Sequence, residues 1–176
     1  MKKRLKVLLG MSIMSMFLFG AVAFAATDFT LLGFSKVVAE RKIEAGAAAK
    51  LSHSGIKIQI PEGAFTHDVT FQVLEGDNSK FQKVAPSGET VIMNFAFRVI
   101  DLETGQIIDR FNNKQLTFSF KDKDINKGSI YYNFKGDGTI ANNNAQSVID
   151  GRTLTHPVGA APVGWFITSP TESINK

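Results

Sequence analysis

Three observations predict an all-β chain, a two-layer antiparallel β-sandwich preceded by a cleaved signal peptide. Apolar and polar residues alternate over five separate runs, Gly-, Pro- and Asx-rich turns divide the runs, and the chain contains no cysteine. Alternation with a period of two marks a strand with one buried face. Several such strands joined by tight turns favour an antiparallel sandwich or barrel. Without disulfides, the fold must be held by packing.

The strands follow in order. Ile56-Lys57-Ile58-Gln59-Ile60 places three isoleucines on one face, and Val69-Thr70-Phe71-Gln72-Val73 repeats the pattern. Residues 91–101 form the longest candidate, with Val91, Met93, Phe95, Phe97 and Val99 on one face. Leu116-Thr117-Phe118-Ser119-Phe120 and Ile130-Tyr131-Tyr132-Asn133-Phe134 continue the series, and residues 152–156 and 164–168 are weaker candidates. Ile58, Phe71, Phe95, Phe97, Phe118 and Tyr132 are expected to face the core. Pro61-Glu62-Gly63, Glu75-Gly76-Asp77-Asn78, Pro86-Ser87-Gly88, Glu103-Thr104-Gly105 and Gly136-Asp137-Gly138 supply the turns, through positive φ or Asx hydrogen bonds. Residues 37–51 read equally as a short helix or as strand, turn and strand. Residues 141–145 read as a solvated loop, and residues 170–176 as a loose polar tail.

At the N-terminus Lys2, Lys3, Arg4 and Lys6 precede an apolar run over residues 7–19, and Ala23-Phe24-Ala25 follows as a cleavage pattern. The run is shorter than the ~20 residues of a comfortable membrane span. An uncleaved N-terminal anchor is the rival reading. The organisation is thus a signal peptide (1–25), a lead-in segment (26–43), a sandwich domain (44–169) and a tail (170–176). Four of the twenty Lys and Arg lie in the first 25 residues, which hold no acid, so the remaining chain carries sixteen of each sign. A neutral mature surface gives no electrostatic reason to expect nucleic acid or an anionic membrane as partner.

The stretch Gly55-Ile56-Lys57-Ile58-Gln59-Ile60-Pro61-Glu62-Gly63-Ala64-Phe65, followed by Val69-Thr70-Phe71-Gln72-Val73, resembles the β-sandwich domain of ankyrins, zonula occludens proteins and netrin receptors and its bacterial surface counterparts. The resemblance covers roughly residues 44–168, and its specific part is Pro61, Gly63, Ala64 and Phe65. It implies that Pro61 closes a strand, that Gly63-Ala64 crosses tightly to the next, and that Phe65 plugs the core. It also implies a scaffolding or interaction role. Some members cleave themselves at a His-Phe-Ser; here His156-Pro157-Val158 lacks the serine, so autoproteolysis does not carry over.

Few residues fall in patterns that suit catalysis or metal binding, and each has a plainer reading. His53, His67 and His156 show no i, i+3 or i+4 pairing, and three or four ligands at recognisable spacing are what zinc usually needs. Convergence of His53, His67 and Asp68 competes with two solvated loop histidines. Asp122-Lys123-Asp124-Ile125-Asn126-Lys127-Gly128 has oxygen ligands at alternate positions, as calcium prefers. Its glycine falls one position late and lysines surround it, which favours a polar connection. Tyr131, Tyr132 and Trp165 could make a carbohydrate platform or divide between core and surface. No serine-nucleophile elbow or phosphate-binding glycine loop is present.

The sequence thus points to an exported, non-enzymatic interaction or structural module, secreted or at the cell surface, without cofactor and without stable membrane insertion after processing. Its expected partner is another cell-envelope protein or polymer, not nucleic acid. The alternative is an extracytoplasmic small-ligand or metal-binding protein. N-terminal sequencing of the secreted protein is expected to begin at Ala26; recovery only in membranes, with Met1 retained, would contradict export with cleavage.

Overall fold

The computed structural model describes residues 28–135, 138–161 and 164–174. The signal-peptide reading lies outside them. All strand pairings among the described residues are antiparallel. One sheet runs from edge to edge through β1 (Phe34–Ile43), β4 (Val69–Gly76), β5 (Glu89–Asp101), β12 (Gly164–Pro170), β8 (Ile130–Phe134) and β9 (Ile140–Asn142). The short β6 (Ile107–Ile108) pairs with β5 and completes seven described strands. The second sheet contains five: β10 (Val148–Asp150), β11 (Thr153–Val158), β7 (Leu116–Lys121), β3 (Ile56–Ile60) and β2 (Ala49–His53). The architecture is the two-layer antiparallel sandwich.

The two sheets read differently because they are buried differently. In the five-stranded sheet only the inner face is covered, and β3 alternates strictly between buried isoleucines and exposed Lys57 and Gln59. In the seven-stranded sheet β4 is buried over six consecutive residues, as is β12. Its inner face meets the other sheet through Phe71, Phe95, Phe97, Trp165 and Ile167. Phe95 stacks on Phe118 of the opposite sheet at 4.1 Å between centroids and on Trp165 at 5.3 Å.

Its outer face carries a second apolar cluster of Phe29, Phe34, Leu74, Phe81, Val91, Ala96, Tyr132 and Phe166. A short helix, α1 (Asn78–Gln82), lays Phe81 on it, and a turn over residues 28–33 adds Phe29 and Leu32. Asp28 holds that turn by accepting from the Thr30 and Leu31 amides. Two glycines permit the close fit. A Cβ on Gly76 would lie 1.9 Å from the Gly33 carbonyl oxygen, and one on Gly164 would lie 2.3 Å from the Phe34 ring.

Several expectations change. Tyr132 is buried in the outer cluster, stacked on Phe166, and Tyr131 faces the inter-sheet core instead. Two adjacent tyrosines leave the strand's phase ambiguous, and a shift of one residue exchanges the faces. Residues 37–51 form strand, turn and strand. The seven-stranded sheet begins upstream of residue 44, because β1 pairs with β4 from Phe34↔Gly76 to Ile43↔Val69 across two bulges. Residues 141–145 are not simply solvated: Asn142 ends β9 and Asn144 accepts from the Tyr131 amide. The tail is docked to Pro170 and beyond by α2 (Thr171–Ile174), whose Thr171 amide donates to the Gly88 carbonyl.

Phe95→Ala is expected to destabilise the domain by about 3–5 kcal/mol, since a fully buried ring at the contact between the sheets leaves a cavity. Tyr131→Phe is expected to be neutral or stabilising, because the buried Tyr131 hydroxyl has no hydrogen-bond partner among the described residues. Urea denaturation of both variants gives the two values.

Candidate functional site

The outer face of the five-stranded sheet is an exposed surface of regular register. Its register sets side chains in rows that cross the strands. Lys50, Gln59, Thr117 and Pro157 make one row, and Ser52, Lys57, Ser119, Thr155 and Val148 make the next. Lys121, Thr153 and Asp150 make a third. At the β2 end of the face lies a groove of about 450 Å³, lined among others by Arg41, Lys50, Gln59, Pro61, Gln115 and Thr117. Arg41, from the edge of the other sheet, closes it by donating from Nη1 to the Lys50 carbonyl at 2.8 Å.

Pro61 borders this groove, and the turn after it is tied at several points. Gly63 has φ +74°. Its amide donates to the Gly46 carbonyl, and its carbonyl accepts from Asn112 Nδ2 at 3.0 Å. An added Cβ would meet only Lys114 Cε, at 3.8 Å. The requirement for glycine is therefore backbone conformation, not space. Ala64 and Phe65 are buried in the inter-sheet core, and Phe65 meets Phe111 edge-on at 5.9 Å.

The candidate metal and catalytic residues are dispersed. His53, at the end of β2, contacts Ser54 Oγ. His67 lies at the other end of β3, where Nδ1 is 2.9 Å from Asp101 Oδ2. The hydrogen bond to that carboxylate and its charge raise the exposed imidazole above its ordinary pKa. Asp68 instead accepts from the Ala45 amide. No cluster of three His, Asp or Glu suited to a metal ion occurs among the described residues. In the loop from Asp122 to Gly128, Asp122 Oδ1 accepts from the Asp124 amide and Asn126 Oδ1 from the Gly128 amide. Ile125 is buried in the core, so this loop is a folded connection between the sheets. Tyr131, Tyr132 and Trp165 are all buried, which removes them from any sugar-binding surface and corrects the expected division between core and surface.

Sequence reasoning passed over the surroundings of His156, which is buried and stacked on Tyr131 at 4.1 Å. Asn143 Nδ2 donates to Asn133 Oδ1 and lies 3.1 Å from His156 Nε2. With the amide so oriented, Nε2 accepts, and Nδ1 carries the proton and donates to Ser147 Oγ at 2.9 Å. The nitrogen beside the serine then has no lone pair to take its proton, so the pair is arranged as a structural bridge. The Asn run at 142–144 was the available signal, since short amides beside strands satisfy buried groups as readily as they make loops. Next to Pro157, β10 has already ended opposite Thr155, so no strand on that side requires an N–H.

No protein-family model matches the chain, and none of the curated proteins compared with it is a match.

Burial lowers the His156 pKa from 6.5 to about 4. Between those values the unfolded chain binds a proton that the folded ring refuses, so stability falls as pH falls from 6.5 to about 4. The slope from this one group reaches at most about 1.4 kcal/mol per pH unit. His67, raised on folding, acts with opposite sign: its contribution is complete below 6.5 and is lost as pH rises through its folded value. Asp77 and Asp101, both lowered by amide hydrogen bonds, lose their contributions only below 3.8. Chemical denaturation at several pH values is expected to show a steeper loss towards pH 4 for wild type than for His156→Gln.

Proposed function

We propose that the chain is an exported, non-enzymatic β-sandwich module that works at the cell surface or outside the cell by binding another component of the envelope. The single observation that supports this most is the outer face of the five-stranded sheet. It is a regular, exposed polar surface on a scaffold whose loops are tied down. Rigid faces of this kind bind without paying a large ordering entropy. The signal-peptide pattern up to Ala25 supplies the location, and no helix among the described residues is long and apolar enough to cross a membrane. The resemblance carried by Pro61, Gly63, Ala64 and Phe65 belongs to the same proposal, because it implies scaffolding. In this reading those four residues position the edge of the binding face and touch no ligand themselves.

The test is capture by native cell envelope. The mature protein, beginning at Ala26, is expected to sediment with isolated envelope and to be released by salt or by a competing soluble envelope fraction. Failure to bind any envelope fraction, or turnover of an envelope substrate by the purified protein, would overturn the proposal.

A further inference from the structure

The lysines of this face are not scattered. Lys50 lies opposite Gln59, two residues along β3 from Lys57, and Lys57 lies opposite Ser119, two residues along β7 from Lys121. Each step therefore crosses one strand and moves two residues in the same sense. The result is a straight diagonal of three exposed ammonium groups across β2, β3 and β7, with successive Cβ positions ~7–8 Å apart. Arg41 lies beside Lys50 and donates to its carbonyl. Asp150, on the far edge strand, is the one acid at an outward position of the five described strands, and no ion pair ties up Lys50, Lys57 or Lys121 among the described residues. Residues 26–176 carry sixteen charges of each sign, yet the outward positions of these strands hold three lysines and one acid.

We infer that this diagonal is the docking track for a linear polyol-phosphate polymer, whose regularly repeated phosphodiesters meet successive lysines. This rests on the binding-module reading above and gives that module's partner a chemistry. Four features select this occupant. The cations are evenly spaced and collinear, which matches a linear polymer with one charge per repeat better than a globular partner. Lysine is a compact point charge and an established phosphate binder, so it can meet a phosphodiester without the bidentate geometry that arginine provides. Short hydroxyls and amides flank the track at Ser52, Gln59, Ser119 and Thr153, within reach of polyol hydroxyls. Lastly, no aromatic side chain occupies an outward position of these strands, so sugar rings and nucleobases have no stacking platform. The same lack leaves a protein partner without an aromatic anchor.

The mature protein is titrated with poly(glycerol phosphate), polygalacturonate and single-stranded DNA. Poly(glycerol phosphate) is expected to bind most tightly, and its affinity to fall about 20–40-fold between roughly 50 and 200 mM salt, the slope for three neutralised phosphates. Replacing all three lysines (Lys50→Gln, Lys57→Gln and Lys121→Gln) is expected to weaken binding roughly 100-fold, about fivefold for each. The melting temperature should be unchanged, since all three side chains are exposed. A control with Lys80→Gln and Lys83→Gln, on and beside α1 at the opposite face, should bind as wild type. Equal binding of polygalacturonate or DNA, or an equal loss in the control, overturns the inference. If the triple variant is still captured by native envelope as well as wild type, the track is wrong while the module reading stands. If wild type is not captured at all, both fall.

Discussion

The contact between Phe95 and Phe118 is where the two sheets meet, and much else follows from it. Phe95 also packs against Phe97, Tyr131 and Trp165, so one ring joins β5, β7, β8 and β12. A chain without disulfides needs such a hub, because dispersion and water exclusion alone must offset the entropy of ordering twelve described strands. The packing also fixes register. Phe95 faces Trp165 across β5 and β12, and shifting either strand by one residue would turn large rings out of the core.

Burying the seven-stranded sheet on both faces creates a second demand. Its outer face is too apolar to leave in water, so the turn at residues 28–33 and α1 cover it. The cover fits only because Gly76 and Gly164 lack side chains. Where the cover ends, the outer face becomes polar and is paired across strands: Gln72 bridges Glu40 and Arg98. Glu89 similarly accepts from Tyr132 and Thr168, and burial together with that carboxylate pushes the Tyr132 phenol up to about 12. Polar groups brought inside are thus matched locally. The Tyr131 hydroxyl stands out against this pattern.

The two outer faces consequently have different fates. One is closed by the protein's own chain. The other is left open and regular, with Lys50, Lys57 and Lys121 exposed on it. The proposed role as a binding module rests on that asymmetry. The histidines, the Asp122 loop and the aromatic residues that could have supplied other chemistry are occupied with holding turns, connections and core.

How much of this was legible depends on where the information resides. Strict alternation in residues 56–60 and 116–120 identified β3 and β7, because a sheet with one wet face writes its period directly into the sequence. The all-β class, the turn glycines and most strand centres follow from the same local rule. What stayed hidden was decided by non-local partners. Tyr131 and Tyr132 could be assigned to faces only once β12 lay beside them, and the Asn run acquired its role only when His156 came within reach of Asn143. The lysine diagonal shows the division most clearly. The sequence by itself makes Lys50, Lys57 and Lys121 outward residues of separate strands. Their alignment required β3 to pair with β2 on one side and, far along the chain, with β7 on the other, in the registers that burial of Ile58 against Phe118 and Leu51 imposes. Side-chain period is a local property of the backbone, whereas strand order and register are set by packing between segments distant in sequence.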